Sequence, residues 1–174
     1  PIPSLLMPVA NRAEQSWRAA VAGLDGGPGL DDWSDARWAA FSRVSAASDF
    51  FIEQALRDPV MLLELASFGE LDRNFAPGEL CGQIAAAVQQ AQTDEELGRV
   101  LRRQRTRHQV RIIWRDLTRQ ADLIETCRDL SDMADACIDQ AYRWLYERHC
   151  QQFGTPIGQR SGEPQPMVIL GMGK

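Results

Sequence analysis

The chain has 174 residues, 44% of them hydrophobic and 25% charged, with a formal net charge of −5. That length can bury a real core, and the composition is that of an ordinary globular domain rather than a low-complexity chain. The acidic balance argues against a general nucleic-acid binder, which would carry a basic excess, and no uncharged apolar run approaches the roughly 20 residues that span a bilayer.

The opening, PIPSLLMPVA, is apolar but broken by Pro1, Pro3 and Pro8, and it has no basic leader, so it does not read as a secretory signal. NRAEQSWRAAVAGL then reads as a helix that stops at the glycine-rich stretch from Gly23 to Gly29. A second helix begins near Asp32 or Ser34 and carries Trp38, Phe41 and Val44. Ser48 is placed to cap a third, and Asp58-Pro59 opens a fourth with an acceptor at the cap and proline in the first turn. Gly69 marks the end of that helix, and Pro77-Gly78 opens the next.

Thr93, with Glu96 three residues on, forms a capping box for a segment running to Leu117, as one long helix or two with a bend. Val110, Ile113, Trp114 and Leu117 share one face of it. Beyond it, Leu123, Cys127, Leu130, Ala134, Cys137, Ala141 and Trp144 step by fours and threes, predicting a buried bundle seam in which both cysteines act as small apolar residues. After Gly154 the chain turns to Pro and Gly, and MVIL at residues 167–170 is the one convincing strand signal. The expected fold is an all-α bundle of six to eight helices with at most one strand, at the C-terminus. Its expected organisation is an N-terminal helix and linker (1–30), a helical region (31–154), and a loop with a strand and turn (155–174).

Chemistry-bearing patterns are few. The four cysteines follow no disulfide or zinc spacing, which suits reduced thiols in the cytoplasm. His108 and His149 are far apart, and adjacent His149 and Cys150 point about 100° apart on a helix, so no metal site is expected. Every basic residue except Lys174 is Arg, and Arg99, Arg103, Arg107, Arg111, Arg115 and Arg119 recur every fourth position. Such a row winds about 40° per step around a helix. Two roles are open to it: a salt-bridged or solvated face, or a surface for an acidic partner. Arg111, Arg115 and Asp116 flank the apolar face and are candidates for buried ion pairs; Arg107 and Arg111 are the candidates for partner docking.

The last residues, MVILGMGK, suggest a strand, a tight turn and a phosphate. A Walker A loop is excluded, because Val168 stands where its first glycine must be. A dinucleotide fingerprint would need a further glycine past Lys174. A nucleotidyltransferase turn, completed by a later pair of metal-binding aspartates, remains the third possibility.

The order of segments adds a resemblance. RVSAASDFFIEQALRDPVMLLEL, LRRQRTRHQVRIIWRDL, LSDMADACIDQAYRWLYERH, FGTP and MVILGMGK, spread over residues 33–174, resemble the bacterial glutamine synthetase adenylyltransferase/deadenylylase family. The resemblance implies a bifunctional enzyme that transfers AMP from ATP to a glutamine synthetase tyrosine. It also removes that AMP by phosphorolysis, releasing ADP. Magnesium assists both reactions, and glutamine and the PII signalling protein set the direction. It further implies that this chain belongs to the deadenylylating half, and that Gly171, Gly173 and Lys174 form its phosphate turn. The catalytic Asp-x-Asp is expected beyond Lys174. No catalytic residue, bound metal or nucleotide is therefore expected in residues 1–174, and the chain alone is expected to be inactive. The competing expectation is a self-standing helical interaction module that uses the arginine surface.

Overall fold

The computed structural model describes residues 2–24 and 33–171, and its regular structure is helical throughout. A short 3-10 turn, Ser4–Leu6, leads into α1 (Met7–Ala22); then follow α2 (Asp35–Ala47), α3 (Asp49–Arg57), α4 (Pro59–Ser67), α5 (Glu79–Val88), α6 (Asp94–Leu117) and α7 (Leu123–Phe153). Helix α1 therefore starts before Asn11, where the sequence pattern began it, and the glycine-rich stretch from residue 25 lies outside the described residues.

The caps explain why the chain breaks where it does. Ser34, Ser48, Asp58, Thr93 and Asp122 each present a side-chain oxygen to an amide three residues on, satisfying one free N–H of the helix start. The capping box at Thr93 is offset: Glu96 Oε2 accepts from the Gln92 amide, one residue before the cap. At the end of α4, Gly69 takes φ +69°, with Glu70 N donating to Leu65 O and Gly69 N to Ala66 O. That is the paired closure a glycine after the last turn makes possible.

Two apolar clusters hold the helices, and α6 separates them. One gathers Trp17 of α1, Phe41 of α2, Phe51 of α3, Leu62 of α4 and Val110 and Trp114 of α6. The other joins Leu80 and Ile84 of α5, Leu97 and Ile112 of α6, and Met133 and Ala136 of α7. Ile112 and Val110 point from one helix into different clusters, so a 24-residue segment is wrapped on both sides. Each fully buried large side chain here contributes roughly 1.5–3 kcal/mol, and α6 runs unbroken because both halves have such partners.

The predicted seam of α7 is rotated. Its buried residues are Glu125, Asp129, Met133 and Ala136, whereas Leu123, Cys127, Leu130 and Ala134 face solvent; only Cys137, Ala141 and Trp144 of the expected seam are partly covered. The first turns of α7 are turned inward by ion pairs, which apolar periodicity does not register. Cys137 packs on the second cluster, and burial pushes its thiol pKa up; Cys127 is exposed and has no core role.

Among the described residues no strand forms. The segment from Gly154 onward folds back through an isolated bridge between Ile157 and Pro164, and MVIL forms no regular structure. It lies on α7, where Met167 N donates to Tyr142 Oη at 3.0 Å.

Candidate functional site

The arginine row divides between interior and surface as α6 runs through the fold. Arg99, Arg102, Arg103 and Arg105 are exposed, and among them only Arg103 has an ion pair among the described residues, with Asp58 at 3.6 Å. Arg107 is half-buried between Glu70 at 2.9 Å and Glu64 at 3.5 Å. Arg111 and Arg115 are fully buried.

All three guanidinium nitrogens of Arg111 donate hydrogen bonds. Nη1 donates to Asp129 Oδ2 at 2.9 Å, Nε to Glu70 O at 3.0 Å and Nη2 to Arg73 O at 2.7 Å, and the fork stacks 3.6 Å from the Phe75 ring centroid. Burial lowers its pKa, an effect that the Asp129 hydrogen bond partly offsets, and the guanidinium's strong intrinsic basicity keeps it charged. One turn on, Arg115 grips Glu125 Oε1 through Nε and Nη2 at 3.0 and 2.8 Å, and also meets Asn74 Oδ1 and Leu71 O. Such forks suit arginine and not lysine, because fixed planar donors reach several acceptors at once.

Arg111 with Asp129 and Arg115 with Glu125 advance by four in opposite directions, the register of antiparallel helices. Together the two forks tie α6 to the start of α7 and to the loop between α4 and α5. Arg73 ties that loop to the first residue of α5 by pairing with Glu79. With the Ala76 amide, the Arg73 guanidinium holds the Glu79 carboxyl down at about 2. His108, one step from Arg107, is buried edge-on to Phe75 with neither ring nitrogen hydrogen-bonded. Burial, helped by the charges of Arg107 and Arg111, lowers its pKa to about 4.

Sequence patterns singled out Arg107, Arg111, Arg115 and Asp116. The structure brings the three arginines into one ladder, while Asp116 is exposed and has no ion pair among the described residues. Glu70, Glu125 and Asp129 went unnamed as partners. The signal that could have found two of them is the acid pair Glu125 and Asp129, whose four-residue spacing mirrors Arg111 and Arg115.

Gly171 is exposed at the last described position, and Gly173 and Lys174 lie outside the described residues. The segment before Gly171 and the outer face of α7 enclose an open apolar groove of about 630 Å³, lined by Ile138, Tyr142, Tyr146, Met167 and Ile169 among others. Among the described residues, no group of three His, Cys, Asp or Glu side chains is placed to hold a metal ion, and no helix is long and apolar enough to cross a membrane.

The family model described as glutamate-ammonia ligase adenylyltransferase matches residues 38–174. The bifunctional glutamine synthetase adenylyltransferase/adenylyl-removing enzyme of Pseudomonas syringae pv. tomato is 64% identical over 174 residues, covering 99% of this chain and 18% of that protein. The same-named protein of Pseudomonas putida is 59% identical over the same shares, and that of Thioalkalivibrio sulfidiphilus is 41% identical, over 99% and 17%. The chain thus spans about a fifth of the length of the relatives it matches.

Proposed function

The chain belongs to the glutamate-ammonia ligase adenylyltransferase family, and on that premise we propose that residues 1–174 are the helical lead-in to its adenylyl-removing nucleotidyltransferase half. The observation that carries this reading is the match over 38–174, which takes in the terminal MVILGMGK. In the longer protein this segment supplies the first strand and turn of the catalytic core. Gly171, Gly173 and Lys174 cradle phosphate there through backbone amides and one cationic side chain.

The reaction of that half is phosphorolysis of the AMP–tyrosine bond on adenylylated glutamine synthetase: inorganic phosphate attacks the adenylyl phosphorus, the tyrosine oxygen leaves, and ADP forms. Aspartates expected after Lys174 would hold magnesium, which would supply charge neutralisation at the phosphates. The contribution of residues 1–174 is positional. Two arginine forks and two apolar clusters make α6 and α7 one rigid body from which the catalytic strand departs. The partners of the longer protein are glutamine synthetase and PII, with glutamine as effector, ATP for the forward transfer, and a cytoplasmic setting.

The codons after Lys174 test the reading. Leu-Gly-Gly followed within about thirty codons by Ser-Asp-x-Asp supports it; a stop codon directly after Lys174 favours a self-standing module.

A further inference from the structure

The outer face of α7 is unfinished. One side of this 31-residue helix packs on α5 and α6, and Met133, Ala136 and Cys137 lie in that contact. Among the described residues, the side carrying Ile138, Tyr142 and Tyr146 has no helix over it, only the segment ending in Met167 and Ile169, which leaves the apolar groove of about 630 Å³ open. That cover is itself bare. Val168 is 78% and Leu170 82% exposed, and among the described residues the backbone from 166 to 170 makes a single hydrogen bond, to Tyr142 Oη. Four consecutive apolar, strand-forming residues that make one backbone hydrogen bond among the described residues, lying on an apolar floor, are half of a layer.

We propose that the groove is an internal docking face, occupied in the longer protein by the polypeptide that follows Lys174. Its strands pair beside 167–170, and the resulting sheet seats its apolar side on Ile138, Tyr142 and Tyr146. This rests on the reading of residues 1–174 as part of a longer nucleotidyltransferase chain. The relatives carry more than four-fifths of their length outside the matched part, which supplies the occupant. A second copy of the chain fits less well: Asp135 and Asp139 line an adjoining depression that shares Ile138, Tyr142, Met167 and Ile169 with the groove, and the chain carries a net charge of −5, so two copies would meet like charge beside it. The occupant's own rim should be basic.

Ile138→Glu in the longer protein and in residues 1–174, each followed by thermal denaturation, tests the proposal. Ile138 is already 39% exposed, so the expected shift in residues 1–174 is under about 2 °C, against about 5 °C or more in the longer protein. Met167→Glu, on the covering segment and outside both apolar clusters, should repeat the contrast without threatening the helical body. Equal small shifts in the two chains would overturn the proposal. So would residues 1–174 sedimenting as a dimer that Ile138→Glu returns to the 19.5 kDa monomer, because the groove would then belong to a second copy. Neither readout uses activity. A longer protein that shows the contrast yet releases no ADP from adenylylated glutamine synthetase would sink the functional reading and leave the docking face standing.

Discussion

Arg111 and Asp129 meet at 2.9 Å in the protein interior, joining the second half of α6 to the second turn of α7. The pair is completed by two backbone carbonyls of the α4–α5 loop, so each of the three guanidinium nitrogens donates a hydrogen bond. Removing one partner of such a pair leaves a buried charge and unpaired carbonyls. Arg111→Met should therefore cost about 3–5 kcal/mol, read by urea denaturation, and Arg111→Lys should recover little because an ammonium cannot span three acceptors. Arg111→Met combined with Asp129→Leu should regain at least half of the loss. A single-variant cost below about 1 kcal/mol would mean that the pair is solvated.

His108 gives a pH dependence with a definite sign. Its folded pKa of about 4 lies below the ordinary value of 6.5, so below neutrality the unfolded chain binds the extra proton. Stability is complete above pH 6.5 and falls as the pH drops toward 4. Between pH 7 and pH 5 the loss should be about 2 kcal/mol, and His108→Leu should abolish most of it. Glu79 acts lower: its depressed value adds stability above about pH 4.5 that disappears toward pH 2. A His108→Leu protein with the same slope between pH 7 and pH 5 would contradict this assignment.

Arg119 ends α6 at φ 62°, with Gln120 N donating to Arg115 O and Arg119 N to Asp116 O. This is the same closure that Gly69 makes after α4, but built with a side chain that the left-handed region disfavours. Arg119→Gly should raise stability by about 0.5–1 kcal/mol once the added freedom of the unfolded chain is subtracted. Thermal denaturation showing a decrease would mean that the Arg119 side chain has contacts worth more than the strain.

The surface arginines should behave differently from the buried ones. Reversing Arg99, Arg102 or Arg105 to Glu should move the melting temperature by no more than about 2 °C, as exposed charges do. Arg107→Glu would face Glu64 and Glu70, and should destabilise strongly. Docking of an acidic partner is therefore tested fairly only at the exposed positions, by salt-sensitive pull-down of glutamine synthetase. Charge reversal at Arg107 or Arg111 would report on folding instead.

Local chemistry was the readable part of this protein. Ser34, Ser48, Asp58 and Thr93 announced their helices, because a cap is a contact between residues three apart. The apolar face of α6 was legible for the same reason: Val110 and Trp114 repeat at helical spacing and both are buried. The rotation of α7 was not. Its first turns are oriented by Glu125 and Asp129, residues that count as polar in any hydrophobic pattern and become interior only when Arg111 and Arg115 arrive from another helix. The loop carbonyls of Glu70 and Arg73 were equally invisible, since a backbone acceptor has no sequence signature. MVIL was legible as a strand by composition, but a strand is defined by its neighbour, and none lies among the described residues.

In the proposed function, residues 1–174 position a catalytic strand whose reacting carboxylates lie further along the chain. Release of ADP from adenylylated glutamine synthetase, with phosphate and magnesium, measures it most directly when residues 1–174 and the longer protein are compared side by side. Steady ADP release is expected from the longer protein, and none above background from residues 1–174. Turnover by residues 1–174 alone would contradict it.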